Sequence, residues 1–187
     1  MRWADVAEAN GTTVHPAMKW GSTAGSRHTS EHDRPWHDSP ITGSLPARTT
    51  RAMADILRRF TRTPENCWFA HWEGSGHITP PPNYPRLPMP NRDMVHFSGS
   101  IDLADTRFGA TKWFPEGMSA HLWWPDDHTW CVATDIDLTT TYLKTSVECA
   151  DAALADTTLE ALPATPDQKV TWDSDTAVSP GHVETQG

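Results

Sequence analysis

A short segment near the N-terminus holds the densest set of metal-ligating side chains in the sequence. Residues 28–38 contain three histidines and three carboxylates. His28 and His32 are four residues apart, so on a helix they would share one face and could bind a divalent metal, with His37 or a carboxylate completing the set. A metal held there would activate water for hydrolysis. Because the segment lacks an HExxH motif and Pro35 prevents a long helix, a polar loop is the favoured interpretation.

A second candidate cluster comes from two predicted strands. His71 and Glu73 alternate on one strand, and Asp135 and Asp137 share one face of another. Carboxylates two residues apart on a strand could hold Mg²⁺ for phosphoryl-transfer or nuclease chemistry. The same alternation is typical of a half-exposed sheet, which is the favoured interpretation. A metal-dependent hydrolase or nuclease built on one of these two sets is therefore the alternative function.

Other catalytic signatures are missing from the sequence. It has no GxSxG motif and no P-loop, and no helical pattern follows the Gly-x-Gly of residues 74–76, which therefore predicts a turn. Cys67, Cys131 and Cys149 are odd in number and widely spaced, which predicts reduced thiols rather than disulfides or a cysteine zinc site. We expect no cofactor, apart from a divalent metal in the alternative function.

Tryptophans are frequent, with ten in 187 residues. Most lie within strand-like alternation, which predicts burial in the core. Trp36 and Trp113 lie in loop-like sequence instead, where an exposed ring could anchor a binding partner. Exposed tryptophans can also stack on sugars, but a cluster of them is more typical of a protein-binding patch. We predict Trp36 and Trp113 as contact residues.

A basic helix face is the second candidate contact region. Residues 50–62 carry apolar side chains at helical spacing, and the other positions hold four arginines against one aspartate. A solvated helix face is the favoured interpretation of such a charge pattern, and docking of an acidic partner is the alternative. We include Arg58, Arg59 and Arg62 among the candidate contact residues for that reason.

The elements that would position these side chains predict an α+β fold. The strongest signal is residues 121–138, where apolar and polar side chains alternate on either side of a turn at 125–128, which predicts a β-hairpin. Similar alternation elsewhere adds strands, for an antiparallel sheet of about four to six strands. The predicted strands are 67–73, 94–98, 121–125 and 130–138.

Two or three helices are predicted to pack on this sheet. The clearest covers residues 50–62, with Thr49 or Thr50 as its cap. A capping-box pattern at 145–148 starts another helix that runs to residue 155. Its predicted buried side chains are Val147, Ala150 and Leu154. A short helix is also predicted at 3–10, ended by Gly11.

The chain is predicted to form a single α+β domain over residues 1–163, because 187 residues are enough for one substantial core. Two irregular stretches lie inside it, a long polar loop at 21–44 and a proline-rich connector at 79–90. Residues 164–187 carry few large apolar side chains, so we predict a flexible tail there.

The overall composition narrows the class of partner and the compartment. The formal net charge of −9 argues against a general nucleic-acid binder, which needs a basic face. No apolar run approaches the length of a membrane span, and no signal-peptide pattern follows Met1. We therefore expect a cytoplasmic protein that binds another protein and no membrane. The oligomeric state cannot be read from the sequence.

Two stretches of the chain resemble known families. CWFAHWEGSG (67–76) and LWWPDDHTWCVATDIDL (122–138) together resemble the signature stretches of an uncharacterised family of actinobacterial proteins, for which no activity is known. A helix that begins after Leu45 and Pro46, followed by a strand and a glycine turn, is similar to the SMI1/KNR4-like (SUKH) α+β domains. Many of those domains are bacterial immunity proteins that bind toxins.

These observations favour a non-catalytic function. The spacing of known catalytic motifs is absent, whereas long loops and loop tryptophans are present. The sequence therefore predicts a cytoplasmic protein-interaction domain, and the second resemblance implies a role in immunity or defence.

Overall fold

The structure, a computed structural model, describes residues 2–24, 39–171 and 174–175. The chain divides into two compact units. Unit 1 comprises Met1–Pro40 and Glu160–Gly187, and unit 2 comprises Ile41–Leu159. No helix in the described ranges is both long enough and apolar enough to cross a membrane.

Unit 1 contains two short helices, α1 (Trp3–Asn10) and α2 (Trp20–Ala24). Gly11 ends α1 in the left-handed conformation, with φ of 65°, which confirms the predicted stop. A residue distant in sequence caps the N-terminal end of α1. The Glu160 carboxylate accepts hydrogen bonds from the first two helical N–H groups at 2.7 and 2.6 Å. A carboxylate is well placed there, since it also meets the positive end of the helix dipole.

The predicted loop at 21–44 was wrong at its beginning, because residues up to Ala24 belong to α2. The indole N–H of Trp20 donates to the Ser39 hydroxyl over 3.0 Å, and the Trp20 ring meets the Trp3 ring edge to face at 5.4 Å. These contacts of a large ring outweigh the weak helix propensity of the Gly, Ser and Thr that follow it.

Unit 2 is built on a six-stranded antiparallel sheet in the order β2-β3-β1-β4-β5-β6. The strands are β1 (Cys67–Trp72), β2 (Arg86–Leu87), β3 (Met94–Gly99), β4 (Leu122–Pro125), β5 (Cys131–Thr134) and β6 (Thr141–Lys144). Together with the helices, this sheet confirms the predicted α+β class and the predicted number of strands. The central strand β1 lies between β3 and β4, although β4 follows β3 in sequence.

One face of the sheet forms the core of unit 2 with two helices, α3 (Ala47–Leu57) and α4 (Val147–Ala155). Trp130, just before β5, is buried and meets Trp123 edge to face, with ring centroids 5.3 Å apart. Its indole N–H donates to the Leu57 backbone oxygen at 3.2 Å. Burial of one such side chain stabilises the fold by about 3 kcal/mol. Through its ring contact with Trp123 and its hydrogen bond to Leu57, Trp130 joins the sheet to α3.

The first core helix starts earlier than predicted. α3 begins at Ala47 with Pro46 as its N-cap, and a 3₁₀ turn at Arg58–Phe60 continues it. Thr50 is buried inside the helix, where its hydroxyl donates to the Pro46 oxygen at 3.0 Å, so the predicted threonine cap was wrong. Pro46 suits the start of a helix because it has no N–H to satisfy. On the predicted apolar face, Met53, Ile56 and Leu57 are buried and Phe60 is partly buried.

The second core helix begins one residue later than the predicted capping box, with Ser146 rather than Thr145 as its cap, and it buries a different side. The Ser146 hydroxyl accepts from the Cys149 N–H at 3.4 Å. Val147 and Leu154 are 73% and 41% exposed, whereas Cys149 and Ala153 are buried, so the predicted apolar face was wrong. Small side chains one turn apart allow α4 to pack closely against α3, and this packing overrides the hydrophobicity of the larger residues.

One predicted strand boundary was also wrong, and one strand was not predicted. β5 ends at Thr134, not at residue 138, because the Asp135 side chain accepts from the Asp137 N–H at 2.9 Å and turns the chain into β6. Asp competes in this way with the strand ladder for backbone donors. The proline-rich connector contains an edge strand, because Arg86–Leu87 pairs with β3. Neither residue is a proline, so both can take part in the strand pairing at the edge of the sheet. The turn at 125–128 is confirmed, with the His128 N–H bonded to the Pro125 oxygen at 3.0 Å.

The three cysteines are free thiols, as predicted. Cys67 and Cys149 are buried and Cys131 is partly buried. Burial raises the pKa of the Cys67 thiol to about 11, so it is protonated and unreactive near neutral pH.

Candidate functional site

Two stacked imidazoles lie at one end of the sheet of unit 2. His71 belongs to β1 and His121 directly precedes β4, and the His121 N–H donates to the Ala70 oxygen at 2.9 Å. The rings are nearly parallel, with centroids 4.1 Å apart and an interplanar angle of 18°. Both side chains are buried, so their ring nitrogens depend on protein partners for hydrogen bonds.

His71 has a partner at each ring nitrogen. Nδ1 lies 3.3 Å from the Ser119 backbone oxygen, which can only accept, so Nδ1 carries the proton. Nε2 then accepts from the Ser75 hydroxyl over 2.9 Å. That hydroxyl oxygen in turn accepts from the His77 N–H at 3.2 Å. The network around His71 is therefore closed and neutral.

A serine hydroxyl bonded to a histidine is part of the machinery of serine hydrolases, but His71 is a poor base. Burial, with a smaller contribution from His121, lowers the pKa of His71 to about 3. An effective general base has a pKa near the working pH, and His71 is far below that near neutrality. The Ser75–His71 bond is therefore structural, and it fixes the turn that follows β1.

His121 differs from His71 because only one of its ring nitrogens is used. Nδ1 accepts from the Trp72 backbone N–H at 3.0 Å, so the neutral ring must carry its proton on Nε2. Burial lowers the pKa of His121 to about 4, while the nearby Asp135 acts in the opposite direction. The Nε2 atom is buried and has no hydrogen-bond partner among the residues that the structure describes.

His121 lines a cavity of about 300 Å³ in unit 2, which we call the His121 cavity. Trp72, Met94 and Ile136 contribute apolar wall, and Arg92 and Asp135 contribute charge. Pockets of this size, with mostly apolar walls and a few polar groups, are typical of small-molecule sites. The cavity has that size, but half of its lining residues are polar or charged, so its walls differ from the mostly apolar walls of such sites.

Arg92 organises the charged wall of the His121 cavity. Its guanidinium donates to Asp135 at 3.1 Å and also pairs with Asp137. The same group lies over the Trp72 ring, 5.5 Å from the centroid. The two carboxylates predicted as a metal pair are thus brought together, but their shared partner is an arginine.

The other members of that predicted catalytic set have separate partners. Glu73 is bonded by the Arg86 guanidinium at 2.6 and 2.9 Å, which lowers the pKa of the Glu73 carboxyl. His71 is enclosed by its own network. Across residues 2–24, 39–171 and 174–175, no group of three or more His, Cys, Asp or Glu side chains is arranged to hold a metal ion.

Part of the predicted site lies outside the described residues. This applies to the histidine set His28, His32 and His37 and to the contact candidate Trp36. For that segment the polar loop stays the favoured prediction and the metal site its alternative.

Trp113 lies on an ordered loop that is closed by a bridge between Phe108 and Met118. The Thr111 hydroxyl accepts from the N–H groups of Trp113 at 3.2 Å and Phe114 at 3.0 Å. The Trp113 side chain is nevertheless 84% exposed. Lys112 lies over its ring, with Nζ 4.6 Å from the centroid. The loop therefore presents a large aromatic ring and a cation together on a fixed backbone.

The predicted arginine contacts are only partly available to a partner. Arg58 pairs with Asp102. Arg59 lies over the Phe60 ring at 5.7 Å and donates to a backbone oxygen. Arg62 is exposed, and its backbone N–H is bonded to a carboxylate at 2.8 Å. Arg58 is therefore held in an ion pair, whereas the Arg62 side chain stays exposed and could meet a partner.

Sequence reasoning identified Asp135 but missed the other residues that build the cavity. Trp72 and His121 were seen only as members of alternating strands, and Arg92 stood in a turn without a pattern. Their association depends on the pairing of β1 with both β3 and β4, which local periodicity does not encode. The histidine before β4 was the one signal that could have indicated a polar site in an apolar hairpin.

Comparisons of the chain with protein-family models, with curated proteins and with solved structures found no match. The assignment of function therefore depends on the geometry of the described residues.

Proposed function

We propose that this protein is a non-catalytic protein-interaction domain that contacts its partner through Trp113. The observation that carries the proposal is the 84% exposure of the Trp113 side chain on a loop whose backbone is hydrogen-bonded. Exposed tryptophans in soluble proteins lose much of their unfavourable contact with water when a partner covers them. They are also enriched among residues that dominate binding energy.

The order of the loop supports this role. Association costs conformational entropy for each side chain and loop that must be fixed. The bridge between Phe108 and Met118 and the bonds to the Thr111 hydroxyl fix the backbone on both sides of Trp113. Phe114 also packs near the His77 ring, 5.6 Å between centroids. The Trp113 ring is therefore presented to a partner by a backbone that is already fixed.

The charges on the loop indicate the chemistry of the partner. The Lys112 ammonium is exposed beside the Trp113 ring, so a pocket with apolar walls and carboxylates at its rim would suit both groups. The resemblance to the SUKH domains implies a bacterial toxin as one partner of this kind. The cytoplasm is the compartment in which we propose that the interaction occurs.

The arrangement of the titratable groups favours binding over catalysis. The low pKa of His71 makes it a weak base, and Asp135 and Asp137 are occupied by Arg92. Neither group has the combination of basicity and access that general-base or metal chemistry requires.

The test is capture of a partner from an extract of the source cells with wild-type and variant protein. Trp113→Ala should weaken capture at least tenfold, which corresponds to about 1.4 kcal/mol, and its unfolding midpoint should match that of the wild type. Val147→Ala is the control, because it truncates another exposed apolar side chain, 73% exposed on α4. Undiminished capture by Trp113→Ala, or an equal loss with Val147→Ala, would contradict the proposal.

A further inference from the structure

We infer that a second cavity of unit 2 binds a small carboxylic acid with an apolar body, whose carboxylate pairs with Lys144. The cavity has a volume of about 630 Å³, which lies within the range of small-molecule sites. We call it the Lys144 cavity. The inference is independent of the contact proposed for Trp113.

The strand register places Lys144 beside an aromatic ring. Trp123 on β4 pairs with Val132 on β5, and both side chains are buried in the core. Because side chains alternate along a strand, the neighbouring Trp124 and Cys131 lie on the other face of the sheet. Cys131 in turn pairs with Lys144 on β6. A ring, a thiol and an ammonium group therefore follow one another across three strands, and all three line the cavity.

The rest of the apolar wall comes from two separate elements. Leu122 lies on β4 two residues before Trp124, and therefore on the same face of the strand. Leu87 ends β2, and Met89 follows it in the connector. All of these side chains line the cavity, so it offers a large apolar surface to the body of a ligand.

The fixed charge in the lining is positive. Lys144 lines the cavity, and the described lining contains no Arg, Asp or Glu, although the formal net charge of the chain is −9. The Lys144 side chain is exposed, so a ligand can reach it, and it forms no ion pair with another described residue. Burial raises the pKa of the adjacent Cys131 thiol, so that group stays protonated and does not neutralise the ammonium. An anionic group on a ligand would do so.

Two hydroxyl groups of the lining are occupied within the protein. The Thr129 hydroxyl donates to the Asp127 carboxylate at 2.8 Å. A hydrogen bond from its own backbone N–H and one from the Ser146 hydroxyl lower the pKa of the Glu148 carboxyl. The two carboxylates next to the lining in sequence thus have partners of their own. Lys144 is left as the group that can pair with a ligand.

The test is isothermal titration calorimetry with two matched pairs of probes, 2-naphthoate with 2-naphthamide and decanoate with decanamide. Each amide keeps the apolar body of its acid and lacks the negative charge. We expect at least one acid to bind saturably, and its amide to bind about fivefold more weakly, because a solvent-accessible ion pair contributes little more than that. The acid that binds more tightly assigns the site to flat rings or to alkyl chains. Acetate, which has the charge without the body, should not bind measurably.

The decisive variant is Lys144→Met, which removes the charge and keeps an unbranched side chain. It should lower the affinity for the acid about fivefold and leave the affinity for the amide unchanged. Arg48→Met is the matched control, because it removes a positive charge from an exposed position of α3 and should leave both affinities unchanged. Met89→Asp, at a position that is 37% exposed, adds a carboxylate to the cavity and should weaken binding of the acid more than that of the amide.

Three results would overturn the inference. The first is an absence of saturable binding for both acids. The second is an amide or acetate that binds as tightly as the acids, which would show that the charge or the apolar body is not used. The third is a Lys144→Met protein that keeps the preference of the wild type for the acid over its amide.

Discussion

The imidazole pair and the Trp113 loop place ring side chains in opposite environments. His71 and His121 are buried, and three of their four ring nitrogens have fixed partners among the described residues. Trp113 is exposed, and only its backbone is fixed. Substitutions at the imidazole pair should therefore change stability, whereas substitution of Trp113 should change binding alone.

The largest expected effect is a loss of stability in mild acid. Both imidazoles have a pKa below that of a free histidine, about 3 for His71 and about 4 for His121, so the unfolded chain binds protons first as the pH falls below about 6.5. The contribution of the two neutral rings to stability is therefore fully present above about pH 6.5, and it decreases as the pH falls toward their pKa values in the folded state. Between pH 7 and pH 5 the free energy of unfolding should fall by about 4 kcal/mol in total, at up to about 1.4 kcal/mol per pH unit for each ring.

Urea unfolding at pH 7 and pH 5 measures this loss, and His121→Asn should reduce it by about half because one titrating ring is removed. Equal stability at the two pH values would mean that the rings are not held neutral.

The next effect should come from the serine that closes the His71 network. Ser75→Ala removes the donor to Nε2 and the acceptor of the His77 N–H, and an unsatisfied buried group costs about 1–3 kcal/mol. Ser98→Ala makes the same change at an exposed position of β3, and it should alter the free energy of unfolding by less than about 0.5 kcal/mol. Similar values for the two variants in urea unfolding would show that the Ser75 bond is incidental.

A smaller effect is expected from the charged wall of the cavity. Arg92 and the two aspartates are partly or largely exposed, so each pair should contribute only about 0.2–1 kcal/mol. A double-mutant cycle of Arg92→Ala with Asp135→Ala measures this coupling, which should decrease as salt is added. A coupling that is unchanged in high salt would indicate a pair much less accessible to solvent than the structure has it.

The smallest change in stability belongs to Trp113. Trp113→Ala should alter the free energy of unfolding by less than about 0.5 kcal/mol, because the side chain makes few contacts beyond Lys112. Urea unfolding beside the wild type measures it. A loss of several kcal/mol would place Trp113 among the residues that hold the fold together and would remove the contrast with the imidazole pair.

The sequence predicted those parts of the fold that depend on local periodicity. Alternation marked β1, β3 and β4, and helical spacing marked α3, because each of these elements buries one face. It failed at α4, where packing of Cys149 and Ala153 against α3 decided which side is buried. It also failed beyond Thr134, where an aspartate side chain ends the strand.

The candidate site was less predictable than the fold for a related reason. Exposure of Trp113 followed from loop-like sequence around it. The cavity, in contrast, requires His121 on one strand to meet Trp72 on another and Arg92 in a turn. Such associations arise from long-range strand pairing, on which local patterns carry no information.

The most direct test of the proposed function is site-specific photo-cross-linking. A benzophenone amino acid replaces Trp113 in one sample and Asp151, an exposed residue of α4, in another, and each is irradiated in an extract of the source cells. The proposal predicts a discrete cross-linked protein from position 113 and none from position 151. No cross-link at position 113, or the same products from both positions, would contradict a partner contact at Trp113.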